Sequence, residues 1–382
     1  MLNFDAQFNL YSIVLLFGTF QGLLYGLVFA IRGTVQKRLS DALMSALLLL
    51  LCLAIVPFLL GFIGSSLVYN ELLFFPFGIG LLIGPVIYFY LKTQTNTEFR
   101  FKAQDALHLV PYGIYLSYHF AIFFRDQGFV QQWISSVHLP YHIPSVIALG
   151  VLISNYIYLF RSVKYYYEYQ SWLDSELSDT EDVNLSWYRN YLYLAIGGVT
   201  LSWGIKTLDW WGIQLTYTQS WWEYVGLSAI IFVASISAFN QPQVIYLEFK
   251  PEEKDQAPEK PLLDSPELER WRQKALRLLE EEKIYLNPKL TLSEMAEQMG
   301  VNNNLLSQVI NKGFGKNFNQ LINDYRIEAF KAATQKPANG HLSILAIAMD
   351  CGFNSKATFN RVFKKAAGIS PKEYLNNSGL PS

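Results

Sequence analysis

From Phe8 to about residue 243 the chain passes through seven apolar stretches separated by short polar ones, and this limits the fold more than any other feature. About 20 apolar residues wound as a helix cross the hydrocarbon of a bilayer. Within lipid each backbone N–H and C=O must be satisfied inside its own segment, so separate stretches of this length are expected as helices. The predicted spans are about 8–31, 42–64, 72–91, 106–124, 143–160, 190–212 and 221–243. The first is too long and too aromatic for a signal peptide and no small-residue cleavage site follows it, so it is kept as a span.

Loop charge sets the expected orientation. Arg32, Lys37, Arg38, Lys92, Arg100, Lys102, Arg161, Lys164 and Arg189 lie in loops after the first, third and fifth spans, whereas the opposite loops offer only Arg125. Under the positive-inside rule the N-terminus is outside and, after an odd number of spans, the C-terminus is on the cytoplasmic side of the membrane. Trp210, Trp211, Trp221 and Trp222 flank the last outer loop and Tyr165, Tyr166 and Tyr167 follow the fifth span, as interface residues do. Pro57, Pro76, Pro85 and Pro111 fall in or near spans, as packing features or as kinks that shape a cavity. Lys206 and Asp209, three apart on the sixth span, are either a structural pair or an effector or proton site. His108 and His119 have no partner at metal-ligand spacing and are expected to pack.

The mean hydropathy of +0.17 and the net charge of −1 conceal a regional split. Residues 284–382 carry 11 Lys+Arg against 6 Asp+Glu, a balance that suits a polyanion. Cys52 and Cys351 lie far apart, so no disulfide framework is expected; Cys351 reads as buried filler. The inner loop from Arg161 to Asn190 contains Asp174, Glu176, Asp179, Glu181 and Asp182, most simply a solvated face, or else a mask over a basic unit. Residues 248–264, with Pro251, Pro258 and Pro261 among charged residues, read as a linker between a membrane domain at 1–247 and a domain at 265–382. Ser265 and Pro266 open a helix with an apolar stripe of Leu268, Trp271, Ala275, Leu278 and Leu279. That helix either begins the C-terminal domain or transmits a change from the last span.

The C-terminal domain contains one pattern twice, at about 291–315 and 343–368. In the first copy Thr291 and Glu294 form a capping box, Leu290 and Met295 a hydrophobic staple, and Gly300 closes the helix. Asn302 then caps a second helix with Leu306, Val309 and Ile310 on one face. The second copy has Ser343 as cap, Leu342 and Ile347 as staple, then Ala348, Gly352, Phe359, Phe363 and Gly368. Ala296 to Ala348 and Gly300 to Gly352 are 52 positions apart, while Leu306 to Phe359 and Gly315 to Gly368 are 53, so the second turn holds one extra residue. The outer faces are Asn303, Asn304, Ser307, Gln308, Asn311 and Lys312 in the first copy. In the second they are Lys356, Ala357, Thr358, Asn360, Arg361, Lys364 and Lys365. Asn and Gln pair with adenine and Lys or Arg with guanine, so Asn303, Asn304, Gln308, Lys356, Asn360 and Arg361 are candidate base readers; Lys312, Lys364 and Lys365 suit phosphate. Arg361 has a second reading, as a brace of the fold. Between the copies Phe318, Leu321, Ile322, Tyr325, Ala329 and Phe330 mark an amphipathic helix that ends before Pro337 and Gly340.

Residues Ala348 to Pro371, with the looser match of the first copy, resemble the AraC/XylS family of bacterial transcription regulators over roughly the last third of the chain. The resemblance implies double-stranded DNA as partner, two recognition helices entering successive major grooves about 34 Å apart, a connecting helix that sets their spacing, and a homodimer on DNA. It also implies effector binding in the N-terminal domain, whose place the spans take here. The expected fold is all-α: a polytopic seven-span membrane bundle in the lipid bilayer followed by a double helix-turn-helix domain. The reading requires no catalytic residue, metal or cofactor. An alternative is a transporter or membrane enzyme with a regulatory helix-turn-helix domain, and another is a C-terminal unit that only contacts protein.

Overall fold

The computed structural model describes residues 8–65, 68, 71–210, 216–241, 248–249, 265–336 and 342–377. The described residues form helices and turns, with two isolated β-bridges, and the chain divides into two compact units. The first comprises residues 1–166 and 185–250 and the second 167–184 and 251–382. Trp211, most of the expected linker, Pro337 and Gly340 lie outside the described residues.

The first unit begins with α1 (Leu10–Val35) and α2 (Leu39–Phe62), continues through α3 (Gly80–Thr95), α4 (Val110–Phe123) and the short α5 (Gln127–Trp133), and ends with α6 (Ile143–Glu176), α7 (Ser186–Trp210) and α8 (Trp221–Asn240). Only the first part of α6 belongs to this unit. Helices thus occupy at least part of each of the seven expected spans. Four of them, α1, α2, α6 and α8, are long and apolar enough to cross a membrane. The other three differ for local reasons. Pro76 excludes helical geometry from the residue before it, and α3 starts only at Gly80, leaving 16 residues. Pro111 fixes the start of α4 after a 3-10 turn at Ala103–Leu109, leaving 14. At 1.5 Å per residue these reach about 24 and 21 Å, short of the roughly 30 Å hydrocarbon core. In α7, Arg189 and Lys206 lower the apolar content.

The side chains of α1 are arranged inside-out. Its buried face is Ser12, Leu15, Gly18, Thr19, Gly22, Gly26, Phe29 and Gly33, while Phe17 and Phe20 are 64 % and 63 % exposed. Small residues four apart let helix backbones approach closely, the arrangement that packs helices whose outer faces meet lipid. A Cβ placed on Gly22 would collide with Cys52 Sγ of α2. One on Gly18 would collide with the side chain of Ser228 on α8 and lie 3.1 Å from its Cα. At one end of the α1–α2 pair the Arg32 guanidinium forks onto the buried Asp41 carboxylate at 2.7 and 2.8 Å. His108 Nδ1 meets the Tyr158 hydroxyl and His119 Nδ1 the Phe74 carbonyl, so both rings pack as expected. Glu248 and Phe249, at the head of the expected linker, are held in this unit: Glu248 bridges Asn96, and the Phe249 N–H donates to the Thr95 carbonyl at 3.1 Å.

The second unit is built on α12 (Phe318–Thr334), which joins two helix-turn-helix modules. Before it come α9 (Ser265–Glu280), α10 (Leu292–Met299) and α11 (Asn303–Gly313). After it come α13 (Ile344–Asp350), α14 (Lys356–Ala367) and α15 (Pro371–Asn377). Phe318, Leu321 and Ile322 of α12 close one core with Ala275, Leu279, Met295, Leu306 and Ile310, whereas Ile327 and Phe330 close the other with Ile347, Ala348, Phe353, Phe359 and Phe363. The α9 stripe therefore belongs to the first module, and Lys274 Nζ donates to the Met299 carbonyl at the end of α10 at 2.6 Å.

Gly18→Ala is expected to destabilise the first unit by about 1–3 kcal/mol, because the neighbour at Ser228 includes backbone. Gly113→Ala on α4, where an added Cβ meets nothing within 4 Å, is expected to be neutral or stabilising. Thermal unfolding of the detergent-solubilised chain separates the two.

Candidate nucleic-acid interface

Each module presents its second helix through caps that the sequence encodes. Thr291 and Glu294 exchange the two hydrogen bonds of the capping box at 3.1 Å, and Gly300 takes the left-handed conformation at φ 66°. Asn302 then accepts from the Leu305 N–H at 2.9 Å and opens α11. In the second module Ser343 caps α13, Gly352 turns at φ 91°, and Ser355 caps α14 by accepting from the Thr358 N–H. The caps Asn302 and Ser355 are 53 positions apart although Gly300 and Gly352 are 52 apart, so the extra turn residue is present. Gly352 is also a point of close approach: a Cβ there would collide with the Tyr285 carbonyl and lie 3.1 Å from Arg326 Nε.

Leu306, Val309 and Ile310 are buried on α11, as are Phe359 and Phe363 on α14. Asn304, Asn311 and Lys312 are exposed, and Asn303, Ser307 and Gln308 are half-buried. Asn303 Nδ2 donates to Ser293 Oγ at 2.6 Å and Asn311 Nδ2 to Ser307 Oγ at 3.3 Å, which fixes two amides on the reading face. On α14, Lys356, Ala357, Asn360, Arg361, Lys364 and Lys365 are exposed. The expectation for Thr358 requires correction: it is only 1 % exposed, under a segment remote in sequence.

That segment, 167–184, contains the acidic run expected as a solvated face; here it packs within the second unit. Ser178 is buried, its N–H donates to the Leu290 carbonyl at 3.3 Å, and Leu177 bridges Thr291. Asn319 Nδ2 donates to the Leu177 and Ser178 carbonyls, both at 3.0 Å, and Asn323 Nδ2 to the Ser178 carbonyl at 3.1 Å. Farther along, the Glu181 carboxylate accepts from the hydroxyls of Ser355 and Thr358, and Asp179 accepts from the Thr358 hydroxyl at 3.3 Å. Burial alone would raise the Glu181 carboxyl. The hydrogen bonds from Ser355 and Thr358, with the Arg361 charge, outweigh burial and hold it below the usual carboxylate range. Burial pushes Asp174 up, against the opposing pull of Lys365 and Arg361.

Arg326 joins these parts and is fully buried. It donates through Nε to the Tyr285 carbonyl at 2.8 Å, through Nη2 to the Asn287 carbonyl at 2.7 Å and to Ser178 Oγ at 3.1 Å, and its guanidinium lies 6.0 Å from the Phe353 ring centroid. Burial lowers its pKa to about 10, partly offset by the Asp179 charge. Its position four after Ile322 and four before Phe330 puts a cation on the apolar stripe of α12, and that signal was available in the sequence. Asn319, Asn323 and Ser178 carried no comparable sign, because their partners lie 141 to 148 positions away. Cys351 is buried beside Phe353, and burial with the Asp350 charge pushes its thiol up to about 11. In the first unit Lys206 Nζ lies 3.8 Å from Glu223 Oε1; the Asp209 side chain is outside the described residues.

Residues 295–377 match the family of helix-turn-helix domains. The C-terminal part is an AraC-type helix-turn-helix domain. Over 102 residues the chain is 28 % identical to "Probable transcription factor PqrA" of Proteus vulgaris, an overlap of 26 % of this chain and 80 % of that protein. No solved structure matches the chain. The family match covers both α11 and α14, the second helices of the doubled module.

Arg326→Lys keeps the charge but cannot reach both the buried Tyr285 carbonyl and the part-buried Asn287 carbonyl, so at least one of them loses its donor. The expected loss is about 2–4 kcal/mol, read as a lower unfolding midpoint for the AraC-type domain within the full chain.

Proposed function

We propose that this chain is a membrane-anchored transcription regulator whose AraC-type domain binds double-stranded DNA through α11 and α14. The observation that carries the reading is the doubled module, with Asn304, Lys312, Lys356, Asn360, Arg361, Lys364 and Lys365 exposed on its second helices, in a chain with four helices apolar enough for lipid. Seven spans over residues 1–247 anchor the domain at 265–382. The nine basic residues in loops after the odd spans, against Arg125, support a cytoplasmic DNA-binding domain. The membrane helices stand where related regulators bind effectors, which supports a sensing role. Asn303, Asn304, Gln308, Lys356, Asn360 and Arg361 read bases, Lys312, Lys364 and Lys365 hold phosphate, and Ser307, Asn311 and Ala357 complete the face between them. The regulator acts as a homodimer on DNA.

Two measurements test this reading. Protease added to sealed right-side-out vesicles should leave residues 290–374 intact; digestion would reverse the polarity and end the gene-regulation account. In binding titrations on a selected target, Lys356→Ala with Asn360→Ala is expected to reduce discrimination between bases by about 1–3 kcal/mol for each bidentate pair that the substitutions remove. Lys364→Ala should weaken binding to all sequences and reduce the salt slope by about 1. Unchanged binding in both variants would remove the assignment of this face.

A further inference from the structure

Residues 167–184 hold Glu168, Asp174, Glu176, Asp179, Glu181 and Asp182 and neither Lys nor Arg. They meet the AraC-type domain at the first turn of α14, where the Glu181 carboxylate accepts from the Ser355 and Thr358 hydroxyls. Exposed donors at a helix N-terminus are what a DNA phosphate would take. We propose that this segment is an in-chain competitor of DNA: while residues 177–183 sit on α12 and the first turn of α14, the second recognition helix cannot lay that turn on a duplex, and binding requires the segment to leave. The inference rests on the DNA-binding reading and supplies its regulation.

Three observations carry it. Thr358, on the expected reading face, is covered, and Asp179 and Glu181 place negative charge where a phosphate oxygen would approach. Tyr169 and Leu173 are buried earlier in the segment, but residues 177–183 are not among the residues of the two hydrophobic cores built on α12, so that stretch can withdraw without opening them. Its seat on α12 is made of hydrogen bonds: the carbonyl and hydroxyl of Ser178 are held by Asn319, Asn323 and Arg326, beside a cavity of about 190 Å³ whose lining mixes Leu177, Val183 and Leu290 with Asp179, Asp182 and Lys289. Hydrogen bonds of this kind exchange for water at small net loss. In the chain, residues 177–183 directly follow the end of α6 and precede α7.

The test uses the full chain in detergent micelles and an arbitrary duplex of about 30 bp, since non-specific binding is carried by phosphate contacts. The variants are Glu181→Gln and Asp179→Asn with Glu181→Gln. Glu328→Gln, which removes a charge from the exposed ion pair with Lys331, is the charge-matched reference. Glu181→Gln is expected to bind about tenfold tighter than this reference, with a salt slope steeper by about one phosphate, and the double variant tighter than Glu181→Gln. Equal affinity and slope would overturn the inference. Hydrogen exchange on the wild-type chain gives a readout that needs no variant: amides of 177–183 should exchange faster at saturating duplex, and unchanged or slower exchange would overturn it. Absence of DNA binding by every form, wild type included, would instead remove the DNA-binding reading and this inference with it.

Discussion

A single buried guanidinium organises the second unit. Arg326 holds the carbonyls of Tyr285 and Asn287 from the first module, faces the Phe353 ring in the turn of the second, and reaches Ser178 from residues far upstream. Removing a charge of this kind from water is unfavourable unless its donors are met, and here Nε and Nη2 have short carbonyl partners. The planar fork fixes direction as well as distance, so hydrogen-bond geometry orients the Tyr285–Asn287 turn on α12, and the Phe353 ring lies against the same guanidinium. Gly352 completes the joint, since any side chain there would press on the Tyr285 carbonyl.

The two units use opposite packing rules. In the AraC-type domain large apolar side chains such as Phe318, Phe330, Phe359 and Phe363 are buried and lysines face out. In α1 glycines face inward, and Phe17 and Phe20 point away from the helix neighbours. In water such exposure would favour association; in hydrocarbon it is neutral, and close backbone approach supplies the packing. A uniform rule for burial would fail on one half of this chain.

Much of the C-terminal fold was legible because its signals are local. Thr291 with Glu294, Asn302, Ser343, Gly300 and Gly352 each determine a cap or turn within a few residues, and the 52- and 53-residue spacings expose the repeat. The long apolar helices were legible by length, while Pro76 and Pro111 shortened α3 and α4 at points where their local meaning was readable and the extent of its effect was not. The burial of Thr358 was not legible. Its helix face is polar on the outside by every periodic criterion, and what covers it, Asp179 and Glu181, lies 179 and 177 positions upstream in a run whose composition alone fits a solvated loop.

That separation bears on the order in which the protein can assemble. The segment at 167–184 is made before the last two apolar helices of the first unit and more than a hundred residues before α12 and α14 exist. Closing so long a loop is entropically late, and the local helices and caps of the two modules need nothing from it to form. The caps and local helices of the two modules can therefore form before the acidic segment docks, which makes an uncovered domain a natural intermediate on the way to the covered one.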